Sequence, residues 1–288
     1  MTSARNTHPW RSPRQAPADA STARAEAERC IQCPDPSCVS GCPVCNPIHQ
    51  WLQLTADGRI EEAASLLCSV SSLADICTRL CPSEHLCEHH CLLDSVGEPV
   101  SIRAIEQFLA DYAALHDLAE DPATAPPNGR KVAIIGSGLG PLACADCLSK
   151  LGWGVVLFEP GPTPGGDLLE AVVTHQLERQ LLDRRLNLLE KRGVQIRLNI
   201  PLPDADALRA LSQEYDAVYL APDPPPSGFQ PVTLSTFGRF SISTLSLSVP
   251  PATHIYAGGA VVRGQCDPVH AIADARRAAE LIAKTVRN

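Results

Sequence analysis

CIQCPDPSCVSGCP at residues 30–43 and CTRLCPSEHLCEHHC at residues 77–91 decide how this chain is read. Ten of its thirteen cysteines lie between Cys30 and Cys91. Eight of those form two quartets: Cys30, Cys33, Cys38 and Cys42, then Cys77, Cys81, Cys87 and Cys91. Thiols at such short spacings serve disulfides, zinc or iron–sulfur clusters. Disulfides belong to oxidising compartments and usually to short secreted chains. The opening residues MTSARNTHPWRSPRQAP carry arginines with no apolar run behind them, which is not the pattern of a secretory signal. Zinc is held by well-separated C-x2-C pairs or by Cys/His sets, and the second quartet contains no C-x2-C pair.

Short cysteine runs with Cys-Pro, as at Cys42-Pro43 and Cys81-Pro82, resemble the bacterial ferredoxin pattern, whose last cysteine serves the other of two clusters. By spacing alone each quartet would hold its own centre, with Cys77 among the ligands. Between the quartets, HQWLQLTADGRIEEAASLL predicts two short helices broken at Asp57-Gly58. Ser21 is the expected cap of a helix through TARAEAER, and Ser101 that of IRAIEQFLADYAAL. In the latter, Ile102, Ile105, Phe108, Leu109 and Tyr112 make one apolar stripe. Residues 1–20 read as an extended arm, 21–119 as a helical domain and EDPATAPPNG (120–129) as a linker.

Residues 130–288 change pattern. VAIIG predicts a buried parallel strand, followed by Gly136-Ser137-Gly138-Leu139-Gly140-Pro141, a helix to about Gly152 and a strand VVLFE ending in Glu159. Strand, glycine turn, helix and an acid about twenty residues on are the parts of a dinucleotide fold. The glycines let a pyrophosphate approach the backbone, the helix N-terminus attracts its charge, and the acid binds a ribose hydroxyl. Pro141 stands where the pattern has its third glycine. Further helices (QLERQLLDRRLNLLEKR, DADALRALSQE) and strands (VQIRLNI, DAVYLA, HIYA) follow, and the last helix begins near Asp267-Pro268. Residues 229–249 alternate as strands do. The fold class is therefore α/β overall, a helical cysteine domain followed by a Rossmann-like one.

The net charge of −8, without a basic patch, argues against nucleic acid. No stretch approaches the roughly eighteen apolar residues of a membrane span. Many thiols without a secretory segment place the chain in the cytoplasm.

A family resemblance is specific. AERCIQC, GCPVCNPI, RLCPSEHLCEHHC, EPVSIRAIEQF, KVAIIGSG, PGGDLL and AGGAVVRG stand in the order found in the glutamate synthase small subunit and the N-terminal region of dihydropyrimidine dehydrogenase. The chain resembles that family from about residue 22 to 288. The resemblance implies two [4Fe–4S] clusters with interleaved ligands: Cys30, Cys33, Cys38 and Cys91 for one, Cys42, Cys81, Cys87 and Glu106 for the other. Cys77 then becomes a non-ligand, which overrules the reading from spacing. It also implies FAD at Gly136, Gly138, Glu159, Gly165 and Gly166, where that site is retained.

The family inserts an NADPH-binding domain that has no counterpart here, since Ala221 leads within about thirty residues to His254. Four departures point to relaxed or lost flavin binding: Pro141, Ala171-Val172-Val173-Thr174 after the glycine pair, Ala221-Pro222-Asp223 and Ala260. Cys144 and Cys147 read as core residues, as do Cys45, Cys68 and Cys266; His85, His89 and His90 read as hydrogen-bonding or solvent-facing. No constellation of general acid, base or nucleophile is visible, so no catalytic residue is named. The expectation is an electron-transfer subunit working beside other redox subunits of a complex, with no membrane insertion. Its alternatives are a compact FAD/iron–sulfur oxidoreductase and a subunit whose clusters are structural.

Overall fold

The computed structural model describes residues 17, 19–70, 73–118, 125–222, 254–264 and 266–286. It consists of two compact units, Met1–Ala74 with Pro82–Leu118, and Asp75–Cys81 with Ala119–Asn288. The sequence places residues 75–81 in the cysteine domain. In the structure they group with the second unit, for a reason given below.

The first unit is built from α1 (Ala20–Ala27), α2 (Ser37–Ser40), α3 (Ile48–Ala56) and α4 (Ile60–Val70), and then, beyond α5 (Ala74–Leu80), from α6 (Ile102–Leu115). Helices α3 and α4 break at Asp57-Gly58, where Gly58 holds a left-handed φ of 77°. Trp51, Leu52, Leu67, Ile105 and Leu109 are almost fully enclosed, and Ala23, Ala63 and Ala64 between them allow the helices to approach closely. Phe108 and Tyr112 of the expected stripe are only half-buried.

Two caps differ from expectation. Asp19, not Ser21, caps α1: its carboxylate accepts from the Thr22 amide at 2.8 Å, and the Ser21 hydroxyl donates to the same oxygen at 2.7 Å. A carboxylate is the stronger acceptor and also favours the positive end of the helix. Ser101 occupies the cap position of α6 without a side-chain bond there; the Glu88 carboxylate accepts from the Arg103 amide at 2.9 Å instead.

Among the described residues, the second unit holds a five-stranded parallel sheet in the order β3-β2-β1-β4-β5: β1 (Lys131–Ile135), β2 (Gly154–Phe158), β3 (Gln195–Arg197), β4 (Ala217–Leu220) and β5 (Ile255–Ala257). Its helices are α7 (Leu139–Lys150), α8 (Leu168–Val173), α9 (Arg179–Lys191), α10 (Ala205–Glu214), α11 (Ala260–Arg263) and α12 (Pro268–Thr285). Ala133, Ile135, Phe158, Val218 and Leu220 form one apolar face with Leu208 of α10. Such near-continuous apolar strands are what a parallel sheet covered on both faces requires. Pro141 is the third residue of α7, where no intrahelical N–H is lost, so the substitution leaves the helix intact. At Gly140 an added Cβ would stand 3.4 Å from the Ala271 carbonyl oxygen, so this glycine serves the packing of α7 on α12.

Strands β4 and β5 pair directly, Val218 beside Ile255. The connection, residues 221–254, is too short for a second nucleotide-binding domain. The expected strands at 229–249 lie outside the described residues. The end of the expected linker is tied down: the Ala125 amide donates to the Lys150 carbonyl at 2.9 Å and the Asn128 amide to that of Gly152 at 3.0 Å.

Helix α5 is held in the second unit by a buried ion pair. Arg185 Nε on α9 donates to both Asp75 oxygens at 3.0 Å, and its Nη2 lies 2.8 Å from Oδ2. The two side chains are 3% and 0% exposed. Arg79, one turn along, pairs with Glu178 at 2.6 Å.

Candidate metal centre

Cys30, Cys33, Cys38 and Cys91 wall one partly enclosed cavity in the first unit. The remaining lining includes Pro36, Leu52, Val100 and Ile102, with His49 and His90. The cavity joins the start of the first cysteine run to the end of the second. Two contacts bring the runs together, and a third holds the His90 ring within the second. An added Cβ at Gly41 would fall 2.7 Å from the His90 ring, so only glycine leaves room there for the residue beside Cys91. His90 Nδ1 is 2.6 Å from the Leu86 carbonyl. Arg29, next to Cys30, donates to the Glu98 and Pro99 carbonyls at 2.6 and 3.2 Å, just past Cys91.

All thirteen cysteines are free thiols. Among the described residues no three Cys, His, Asp or Glu side chains converge on the point of a single metal ion. Zinc needs thiolates about 2.3 Å from one centre. The four thiols share one cavity whose other walls include the apolar Leu52, Val100 and Ile102. Burial, and then the neighbouring thiols of Cys30, Cys91 and Cys33, push the Cys38 thiol up to about 11. Burial likewise raises Cys30, with Cys33 and Cys91 adding to it. Thiols raised in this way ionise at neutral pH only beside a strongly positive centre, which a bound metal supplies.

The second set is arranged differently. Asn46, buried just beyond the first run, donates from Nδ2 to Glu106 Oε1 at 2.8 Å, and accepts from the Trp51 indole N–H at 3.0 Å. The buried Trp51 thereby orients the amide that orients Glu106. Burial and then the charge of Glu88 push the Glu106 carboxyl up to about 7, opposed by the Asn46 bond and by Arg103. Glu88 follows Cys87, so α6 carries its acid to the second cysteine run. Cys87 is buried and Cys42 half-buried. Cys81 ends the α5 segment of the second unit, where its amide donates to the Cys77 carbonyl at 2.8 Å. Cys77 is itself buried on α5. His89 pairs with Asp94 at 3.5 Å.

In the second unit the nucleotide-type residues gather around Ser137. Its hydroxyl donates to Glu159 Oε2 at 2.5 Å and accepts from the Gly165 amide at 2.8 Å. The Gly161 amide donates to Glu159 Oε1 at 2.8 Å. Gly136 has φ 105°, and an added Cβ would stand 2.8 Å from the Ala221 carbonyl oxygen; Gly165 has φ 134° and Gly166 φ 51°. Gly138 caps α7. Glu159 is therefore not a surface acid: it is 8% exposed, and each oxygen already accepts a protein bond. Each oxygen keeps a second lone pair, so a further donor at Glu159 would share the carboxylate with Ser137 and Gly161. Cys144 is fully buried, in keeping with a core role.

Sequence reasoning missed Asn46, Gln32, His49 and the Asp75–Arg185 pair. Asn46 and Gln32 sit within the GCPVCNPI and AERCIQC stretches, whose signal is carried by their cysteines.

Residues 11–118 match the family model described as dihydropyrimidine dehydrogenase domain II, 4Fe-4S cluster, and residues 134–188 match that of an NAD(P)-binding Rossmann-like domain. Over 198 residues, 69% of the chain, it is 38% identical to the glutamate synthase [NADPH] small chain of Escherichia coli. This chain is similar to the glutamate synthase small chains, and its first unit to the iron–sulfur domain of dihydropyrimidine dehydrogenase. The Halomonas elongata small chain is 37% identical over the same length, and the glutamate synthase [NADH] of Schizosaccharomyces pombe 34% over 202 residues. The match covers 42% of the Escherichia coli and Halomonas small chains and 10% of the yeast protein. The cofactor class of the first unit is thus iron–sulfur of the 4Fe–4S type, and the second unit is Rossmann-like. Among the described residues no single helix is long and apolar enough to cross a membrane.

Proposed function

We propose that this chain is an iron–sulfur electron-transfer subunit of a larger cytoplasmic oxidoreductase, relaying electrons between partner subunits. The observation that carries the reading is the cavity walled by Cys30, Cys33, Cys38 and Cys91, which unites both cysteine runs. These four thiolates hold the first [4Fe–4S] cluster. Cys42, Cys81, Cys87 and Glu106 hold the second, with Asn46 fixing the carboxylate. Such clusters accept and release single electrons, at potentials set by their ligands and surroundings. Cys77 stays a packing residue on α5. The exposed Ile31 and Leu92 belong to the lining of the first cavity, which keeps that centre within reach of a redox partner at the surface. The Rossmann-like unit serves as scaffold and docking element. Its relatives' designation as small chains supports the presence of partner subunits.

A second reading is favoured by the match of residues 134–188 to a nucleotide-binding model. There the chain is a compact oxidoreductase in which FAD occupies Gly136, Gly138, Glu159, Gly165 and Gly166. The departures from the family's flavin pattern at Pro141, residues 171–174 and Ala260 speak for the first reading.

A redox titration followed by electron paramagnetic resonance, on protein purified without oxygen, tests the relay. Reversible reduction of both centres is expected. Centres that cannot be reduced reversibly within the range of the co-purifying enzyme would make them structural.

A further inference from the structure

Two side chains near the first cysteine set have no part in the ligand assignment. Gln32 lies between Cys30 and Cys33, with its Nε2 3.5 Å from Cys30 Sγ and 3.2 Å from the His49 carbonyl oxygen. At 3.5 Å to sulfur this is a hydrogen bond to the very atom assigned to the metal. Its φ is 50°, a left-handed backbone that non-glycine residues seldom hold, so the loop keeps this residue in an unfavourable shape while its amide meets the sulfur. His49, in the first turn of α3, belongs to the cavity lining, and its Nδ1 is buried without a hydrogen-bond partner. A buried polar atom left unmatched by protein is explained when a ligand supplies the match. Sulfur atoms in the same cavity are such a match, and His49 is tied to Gln32 through its own carbonyl.

We infer that Gln32 and His49 are positioning residues that set the reduction potential of the first cluster by donating hydrogen bonds to its sulfur atoms, Gln32 to the Cys30 thiolate and His49 to a cluster sulfide. Reduction adds negative charge to a cluster, and N–H donors at its sulfurs stabilise that charge, so they raise the potential. The inference rests on the cluster assignment proposed above, and it goes beyond that assignment by naming what tunes one centre and not the other.

The experiment is a spectroscopically monitored redox titration of the full-length chain as isolated without oxygen, alongside Gln32→Leu and His49→Phe. The signal of the first centre is identified by its loss in Cys91→Ser. The expected result is a shift of that midpoint to more negative values in each variant, with iron content and the second midpoint unchanged. Unshifted midpoints with full iron would overturn the inference. Loss of iron in Gln32→Leu alone assigns Gln32 to packing, and His49→Phe then decides the matter; loss of iron in both makes the pair structural and also overturns it. Absence of iron from the unaltered chain contradicts the cluster assignment itself, a separate and distinguishable failure.

Discussion

Cys38 and Cys91, drawn from the two separate cysteine runs, face the same cavity. The second run therefore folds back onto the first. Cys91→Ser is expected to remove the first cluster, about four iron atoms, while Cys77→Ser leaves iron unchanged. Iron analysis of the two variants checks this; equal losses would favour the separate quartets.

The fit of Gly41 under the His90 ring gives a second expectation. An added methyl group would come 2.7 Å from that ring, closer than any van der Waals contact. Gly41→Ala is expected to push His90 and with it Cys91 away from the cavity, lowering iron occupancy of the first centre toward that of Cys91→Ser. His90→Ala in the same chain should restore much of it, because the clash is then gone.

Glu106 is placed by Asn46, and Asn46 by Trp51. Glu106→Ala is expected to abolish the signal of the second centre and spare the first. Asn46→Ala should keep the iron and alter the second signal, since the carboxylate survives without its orienting amide. Loss of the first signal in either variant would mean that the ligand sets are wrongly divided.

Arg185 and Asp75 form an ion pair with almost no exposure. Removing one partner leaves an uncompensated buried charge, so Arg185→Leu is expected to destabilise the second unit by about 3–5 kcal/mol. Replacing both, Asp75→Leu with Arg185→Leu, should cost much less than the single change. Thermal unfolding of the three variants measures the difference.

The flavin question has its own expectation. With Pro141, residues 171–174 and Ala260 departing from the family's flavin pattern, the native protein should show no flavin absorbance, and added FAD should not raise its unfolding temperature as a ligand of the folded state would. An acid extract containing FAD at one per chain would overturn the scaffold reading in favour of the compact oxidoreductase.

Much of this architecture was readable from local pattern. The periodicity of residues 48–67 and 102–115 marks α3, α4 and α6, and the glycine turn between two apolar runs marks β1, α7 and β2. The cysteine spacings announced a metal site, but not its membership. Spacing cannot show that Cys91 returns to Cys38, because the fold-back depends on Gly41 beneath His90 and on Arg29 reaching Glu98. Resemblance supplied that partition, in which the four residues of the first set are ones that line one cavity. The placement of α5 was illegible for the same reason: Asp75 and Arg185 are 110 residues apart, and neither has a local signature. Gln32, Asn46 and His49 are ordinary polar residues whose importance lies only in what they touch.

The measurement that tests the central claim most directly is metal analysis, with acid-labile sulfide, of the full-length chain purified without oxygen. The account predicts about eight iron and eight sulfide per chain, as two [4Fe–4S] clusters require. Stoichiometric zinc, or iron far below that level, would contradict it.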